Sequence, residues 1–219
     1  RPTLISGKKL THSAMTVMRL LDLILKDADT AALERSFKGE PGLTLNLLRL
    51  TNSCASGLAV RIASVRHAIT ILGRNQLQRW LQLLLYADPE GGEVGPLLQL
   101  AATRGRFLEL VTQKFLPRQK DLPDRAFMVG ILSLLPAVIG QPIADIITPL
   151  PLPPDVKQAL IEYKGDLGRL LALAEQLEKA DGDATFNGLI AEMPGLRGAL
   201  LTECLAQAMA WANMLARDS

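Results

Sequence analysis

The sequence predicts an all-α domain of about ten helices, and three observations lead to this prediction. Of the 219 residues, 43 are Leu and 26 are Ala, both strong helix formers, whereas only 4% are aromatic. Apolar residues recur at helical spacing in successive segments, and no useful length of chain alternates as a strand does. With 48% hydrophobic and 21% charged residues, the chain can bury one sizeable core.

The N-terminal half contains five predicted helices, which follow a linker over residues 1–12 that we expect to be the stub of a preceding domain. Thr11 or Ser13 is a candidate cap for the first helix, and Gly73 is expected to separate the fourth helix from the fifth. The residues that open these five helices or form their apolar faces are, in chain order, Val17, Leu20, Leu21, Ile24, Leu25, Asp29, Leu33, Phe37, Pro41, Leu43, Leu47, Ser64, Asn75, Leu77 and Leu81.

The C-terminal half contains five more predicted helices, interrupted by a corner rich in proline. A long helix runs from Pro96 to about Phe115, and Asp124 is expected to cap a very apolar one that includes Leu132 and Leu135. Six of the 13 prolines lie between residues 136 and 154, so the chain turns repeatedly there. Helical periodicity resumes at Val156, at 167–177 and at 196–215.

Charge, cysteine content and hydropathy exclude several classes of protein. A net charge of +2 is too small for a bulk nucleic-acid binder, and two Cys and two His cannot build a zinc-finger or iron–sulfur framework. The apolar run 126–152 is broken by four prolines into pieces too short to cross a membrane, so a buried core helix is predicted instead. We expect a cytoplasmic protein with reduced thiols.

The sequence offers no catalytic or metal-binding motif. His12 and His67 are far apart, and neither lies at a spacing typical of metal ligands. There is no Gly-x-Ser-x-Gly elbow, no phosphate-binding loop and no dinucleotide fingerprint. We therefore predict that the chain is not an enzyme and holds no cofactor.

An arginine-rich stretch is the one feature of the sequence that suggests an interaction site. Residues 41–87 contain no Asp or Glu, and the candidate interaction residues are Arg61, Arg66, His67, Arg74 and Arg79. One interpretation is a face that docks an acidic partner or an anion, since guanidinium groups suit planar, bidentate contacts. The other is a structural role, with the arginines capping helices and pairing with distant acids such as Asp22 or Glu109.

The same stretch also carries a spaced pattern of apolar and small polar residues. Its members are Leu47, Leu48, Asn52, Ser53, Gly57, Ile62, Ser64, Val65, Ala68, Ile69, Leu72 and Gly73. This pattern resembles the signature of HDOD domains, all-helical relatives of the HD-type metal phosphohydrolases that lack the catalytic residues. In HD hydrolases a central helix presents a His-Asp dipeptide to a divalent metal, and the resemblance places Ser133-Leu134 at that position. A serine hydroxyl is a poor metal ligand and leucine is none, so the resemblance also implies a non-enzyme.

A narrower resemblance extends over most of the chain, to the HDOD half of bacterial EAL–HDOD signalling proteins. It is carried by 5–9, 79–81, 130–135, 150–152, 156–160, 168–171 and 210–213. It implies a regulatory role in cyclic-di-GMP signalling, with an upstream EAL-type domain or another signalling protein as the partner. Arg1-Pro2 would then be the stub where that domain ends.

Three functions follow as hypotheses. The first is a non-catalytic module for signal transduction and protein interaction, with no membrane contact. The second is a nucleotide- or nucleic-acid-binding module that uses the arginine-rich face, although the scarcity of aromatic residues near it makes nucleic acid a poor candidate. The third is a divergent metal-dependent phosphohydrolase with ligands drawn from scattered Asp residues and His67.

Overall fold

Twelve helices form the domain in a computed structural model, which describes residues 12–39, 41–54, 62, 64–86, 95–179 and 184–217. No strand occurs in these ranges, which confirms the predicted all-α class. The helices are α1 (His12–Leu25), α2 (Thr30–Lys38), α3 (Pro41–Cys54), α4 (Val65–Leu84), α5 (Pro96–Phe115), α6 (Leu122–Leu132), α7 (Leu135–Ile139), α8 (Ile143–Ile147), α9 (Pro154–Glu162), α10 (Gly165–Glu178), α11 (Ala184–Ala191) and α12 (Gly198–Arg217).

The first three helices begin where the sequence predicts and bury the predicted faces. Asp29 caps α2, since its Oδ1 accepts a hydrogen bond from the Ala32 N–H at 2.6 Å. Pro41 occupies the first turn of α3, where its missing N–H would have no helical partner. The buried residues of these helices are Val17, Leu20, Leu21, Ile24, Leu33, Phe37, Leu43 and Leu47.

Helix α4 combines the two helices predicted on either side of Gly73. Ser64 caps it as expected, accepting a hydrogen bond from the His67 N–H at 3.1 Å. Gly73 has φ 73° and ψ 170°, a non-helical conformation that is essentially restricted to glycine, so it interrupts the helix at the predicted point and the two halves meet at a kink.

Helices α5 and α6 cross at the centre of the fold through two glycines. A Cβ added to Gly130 would lie 2.6 Å from the Gly105 Cα, and one added to Gly105 would lie 2.9 Å from the Ile131 side chain. Any larger residue at this crossing must therefore push the two backbones apart. Gly105, Phe107, Phe127 and Ile131 are all buried around it.

Substitution of Gly130 by Ala should destabilise the domain. The new methyl group overpacks the crossing, which typically costs about 1–3 kcal/mol, whereas the gain in helix propensity returns about 1 kcal/mol at most. Gly188→Ala in α11 is the matched control, because a Cβ there meets nothing within 4 Å. Urea denaturation measures both variants, and equal midpoints for Gly130→Ala and Gly188→Ala would contradict the close crossing.

The proline-rich corner differs in detail from the prediction. Helix α6 begins at Leu122 with Asp121 at the cap position, so Asp124 lies in the first turn and is not the cap. The segment Leu122–Ile139 is long and apolar enough to cross a membrane by length and composition, but 61% of it is buried in the fold and it is divided between α6 and α7. Leu132 and Leu135 are buried, as predicted.

Helices α9, α10 and α12 pack against α5 or α6, and α11 packs on α10. Helix α9 contacts α6 and α10, and an ion pair of 2.8 Å between Arg125 and Asp155 joins α6 to α9. Gly168 in α10 passes so close to the backbone of Tyr163 that an added Cβ would lie 2.1 Å from its carbonyl carbon. Helix α12 packs along α5. The short helices α7, α8 and α11 are the ones that the sequence did not predict.

Candidate functional site

Three of the candidate arginines of this stretch lie on α4, and Arg66 has the most exposed side chain among these three. The Nε and Nη2 of Arg66 donate to the two carboxylate oxygens of Glu34 in α2 at 2.8 and 2.7 Å. This hydrogen bond and the charge of Glu34 raise the pKa of Arg66. The Arg66 side chain is 67% exposed, so the guanidinium is paired and still accessible.

Arg74 follows the kink and closes the end of α1. Its Nη2 donates to the Ala28 carbonyl oxygen, and its Nη1 lies 3.5 Å from the Asp27 Oδ1. Arg74 therefore holds α4 against the turn after α1.

Arg79 faces inward, onto α5 and α6. Its Nη2 lies 2.5 Å from the Oε2 of Glu109, which is buried, and its Cζ stands 4.2 Å from the centroid of the Phe127 ring. The same Glu109 oxygen accepts a hydrogen bond from Arg106 at 2.7 Å. Pairing with Glu109 is the structural alternative that the sequence offered, whereas Asp22 instead binds Lys26 at 2.8 Å.

The predicted residues therefore contact different neighbours. Arg66 contacts α2, Arg74 contacts the turn after α1, and Arg79 contacts α5, so these contacts do not bring the three guanidinium groups to one point. His67 lies half-buried in the first turn of α4. Arg61 lies outside the described residues.

A buried arginine stands beside Ser133, at the end of α6. Arg104 of α5 is 5% exposed, and its Nη1 donates to the Ser133 Oγ at 2.7 Å. Its Nε and Nη2 donate to the two carboxylate oxygens of Glu178 in α10 at 2.8 and 2.5 Å. The Ser133 hydroxyl in turn donates to the Gly130 carbonyl oxygen at 2.7 Å. Ser133 and Arg104 thus join α5, α6 and α10.

The electrostatics around Arg104 keep its guanidinium charged despite burial. Burial lowers the pKa of Arg104, but the hydrogen bond and charge of Glu178 and the charge of Glu175 outweigh it, so the pKa is raised. Glu175 lies 3.7 Å from the Arg104 Nη1 and accepts a hydrogen bond from the Tyr163 hydroxyl at 3.1 Å. Both carboxylates therefore share one internal cation.

A pocket of about 730 Å³ opens onto this cluster. Its polar wall is formed by Arg104, Ser133, Glu175 and Glu178, and Leu134 and Pro136 belong to its apolar wall. No group of three or more His, Cys, Asp or Glu side chains is arranged to hold a metal ion in the part of the chain that the structure describes. The pocket presents a guanidinium group where the resemblance to HD hydrolases would place the metal-binding dipeptide.

Tyr86 lies in the turn after α4 and contacts the end of α6, two residues before Ser133. Its hydroxyl donates to the Ile131 carbonyl oxygen at 2.5 Å. Burial raises the pKa of Tyr86 well above its ordinary value of 10.0, and the charge of Arg104 opposes this only in part.

Ionisation of Tyr86 should therefore be coupled to unfolding. Because the folded-state pKa is raised, the stability that this group contributes is complete below about pH 10 and is lost as the pH rises above that value. In a spectrophotometric titration, the difference between the wild type and Tyr86→Phe should show no tyrosinate absorbance near pH 10 while the protein is folded. A Tyr86 signal that appears near pH 10 with intact circular dichroism would contradict the buried hydrogen bond.

Sequence reasoning missed Arg104 and Glu178, although one signal was present. Arg104 lies on the apolar stripe of α5 that also contains Ala101, Leu108 and Val111, all buried. A charge on such a stripe must find a buried partner. Nothing in the sequence identified that partner, since Glu178 is 74 residues away.

The chain is similar to several known proteins. Residues 9–143 match the family described as "HDOD domain". The cyclic di-GMP phosphodiesterase CdgJ of Vibrio cholerae serotype O1 is 30% identical over 182 residues, which are 83% of this chain and 42% of CdgJ. The uncharacterized protein YuxH of Bacillus subtilis strain 168 is 26% identical over 190 residues, 83% of this chain and 45% of YuxH. The chain thus spans less than half the length of these two relatives.

One solved structure shares the fold. A crystal structure from Shewanella amazonensis SB2B, described provisionally as a phosphohydrolase, matches with a TM-score of 0.56 at 20% sequence identity. The match covers 99% of this chain and 95% of that one. At this identity the likeness concerns the helical architecture alone.

Proposed function

The chain belongs to the HDOD domain family, and from this premise we propose that it is a non-catalytic module of signal transduction that binds other proteins. The observation that carries the proposal is the Arg104 cluster. Arg104 bonds Ser133 and forms a bidentate pair with Glu178, and Glu175 lies 3.7 Å from the same guanidinium, so a cation of the protein already occupies the space between the carboxylates that face the pocket. A divalent cation would have to displace that charge before it could activate a water molecule.

The pathway in the proposal is cyclic-di-GMP signalling, which the likeness to CdgJ supports. The module would act in the cytoplasm, with an EAL-type domain upstream of Arg1 or a separate signalling protein as its partner. Any turnover of cyclic di-GMP would then take place in that partner. The reading frame upstream of Arg1 tests this part of the proposal directly, because it either encodes an EAL-type domain or does not.

The purified chain should neither retain metal nor cleave phosphodiesters. We expect substoichiometric iron, manganese and zinc by elemental analysis, and no hydrolysis of cyclic di-GMP or of bis(p-nitrophenyl) phosphate with added Mn²⁺ or Mg²⁺. The control variant is Glu175→Gln with Glu178→Gln, which removes both carboxylates from the pocket. Stoichiometric metal with turnover that this double variant abolishes while it stays folded would overturn the proposal. Turnover that survives the double variant arises outside this pocket, and its elution apart from the chain in gel filtration would identify a contaminant.

Partner binding is expected to involve the first half of α4, where Arg66 is exposed, and the region just after the kink, where Arg74 is half-buried. Reversal of charge in Arg66→Glu with Arg74→Glu should weaken association with the upstream domain or signalling partner, measured by calorimetry on protein that remains helical by circular dichroism. Arg118→Glu with Lys120→Glu makes the same charge change at two exposed residues after α5 and should leave binding unchanged. Equal affinities for the two double variants would remove α4 from the interface.

A further inference from the structure

Helices α5 and α12 present a face without charge. Residues 204–216 of α12 contain no charged side chain, and neither do residues 95–103 at the start of α5, although 21% of the chain is charged. The two segments are adjacent, since the Gln99 Nε2 donates to the Asn213 Oδ1 at 2.5 Å. Exposed surfaces of soluble proteins are normally charged, so this face differs from the rest of the molecule.

The face combines a groove with a ridge. A groove of about 400 Å³ runs between α10 and α12 over α5, and its floor and walls include Leu100, Phe107, Leu177 and Leu205. Met209 lines the groove on α12 and is 51% exposed. The ridge is the exposed face of α12, whose further apolar side chains are Ala206, Ala210 and Met214. Methionine is enriched at protein interfaces, and charged residues are depleted from their centres.

We infer that this face is where two copies of the chain associate. In a two-fold interface the same patch of each copy meets, so a charged patch would bring like charges together. An uncharged face avoids this repulsion. The ridge of α12 in one copy fits beside the groove of the other, so each copy supplies both elements. A charged partner would gain little electrostatic complementarity in the groove, because Arg104 and Glu178 are the only charged residues among the described ones that line it, and they pair with each other.

The size of the face predicts a weak dimer. Ten residues of helix from Leu205 to Met214 span about 15 Å, and neighbouring helix axes lie about 8–10 Å apart. Such a patch falls in the range of weak or transient interfaces, which bury less than about 1,200 Å² in total. We therefore expect reversible association with a Kd in the micromolar range.

Sedimentation velocity of the 219-residue chain between about 1 and 100 μM tests the inference at concentrations that bracket this Kd. The wild type should show a monomer–dimer equilibrium, and Met209→Glu should raise the Kd at least about tenfold, as truncation of an interface anchor does. Met15→Glu is the matched control, because Met15 on α1 is 52% exposed and lies outside the face. It should leave the Kd unchanged.

A second variant, Ala210→Lys, keeps the test decisive if Met209→Glu fails to fold, because Ala210 is exposed and Lys is a good helix former. A wild-type chain that stays monomeric at about 100 μM would overturn the inference. So would a dimer whose Kd is unchanged in both variants, or one that Met15→Glu disrupts equally. The measurement uses no partner, metal or nucleotide, so its failure would leave the proposed signalling role untouched.

Discussion

Replacement of Leu132 by Ala should lower the free energy of unfolding by about 2–5 kcal/mol, the range for truncated leucines in packed interiors. Leu132 is 1% exposed at the end of α6, two residues beyond Gly130 at the close crossing with α5. Urea denaturation monitored by circular dichroism measures the change. Leu45→Ala, at a leucine of α3 that is 50% exposed, is the control and should change stability little. A Leu132→Ala midpoint equal to the wild type would mean that α6 is peripheral.

Replacement of Arg104 by Met should cost about 3 kcal/mol, because breaking a buried ion pair strands the charge that is left. This is the low end of the usual range, since the Glu175 and Glu178 side chains are 28% and 29% exposed and can turn toward water. Thermal and urea unfolding give the value. Arg169→Met removes a guanidinium from a surface pair with Asp166, at 42% and 41% exposure, and should cost about 0–1 kcal/mol.

The double variant Arg104→Met with Glu178→Gln separates the energy of the ion pair from the energy lost when the Arg104 side chain no longer packs. If Arg104 acts chiefly as a counter-ion, the two substitutions should be less than additive, because the second removes the carboxylate that the first leaves unpaired. Additive losses would show that the methylene groups of Arg104 matter more than its charge.

Sequence patterns predicted the long helices well, because their information is local. The face formed by Val17, Leu20 and Ile24 is buried as the 3.6-residue period requires, and Ser64 forms its predicted cap. The short helices α7 and α8 have five residues each, too few for a periodic pattern to stand out from the surrounding prolines. Their geometry is set by packing on the core.

The site was predictable only in part, for a related reason. Ser133 could be singled out by resemblance, and the arginine-rich stretch by composition. Which acid each arginine meets depends on tertiary contacts over long sequence separations, 32 residues for Arg66 with Glu34 and 74 for Arg104 with Glu178. The composition of one segment therefore indicated unmatched charge, whereas the fold supplies matching acids from other segments.

The kink at Gly73 gives α4 two separate attachments. Its first half is tied to α2 by Arg66, and its second half is tied to the turn after α1 by Arg74 and to α5 by Arg79, while the turn that follows α4 is tied to α6 by Tyr86. The angle between these halves depends on one pair of backbone dihedrals that only glycine adopts without strain. One residue therefore sets the angle at which the two halves of α4 meet. A larger residue at Gly73 would strain these dihedrals without a steric clash, because an added Cβ meets nothing within 4 Å.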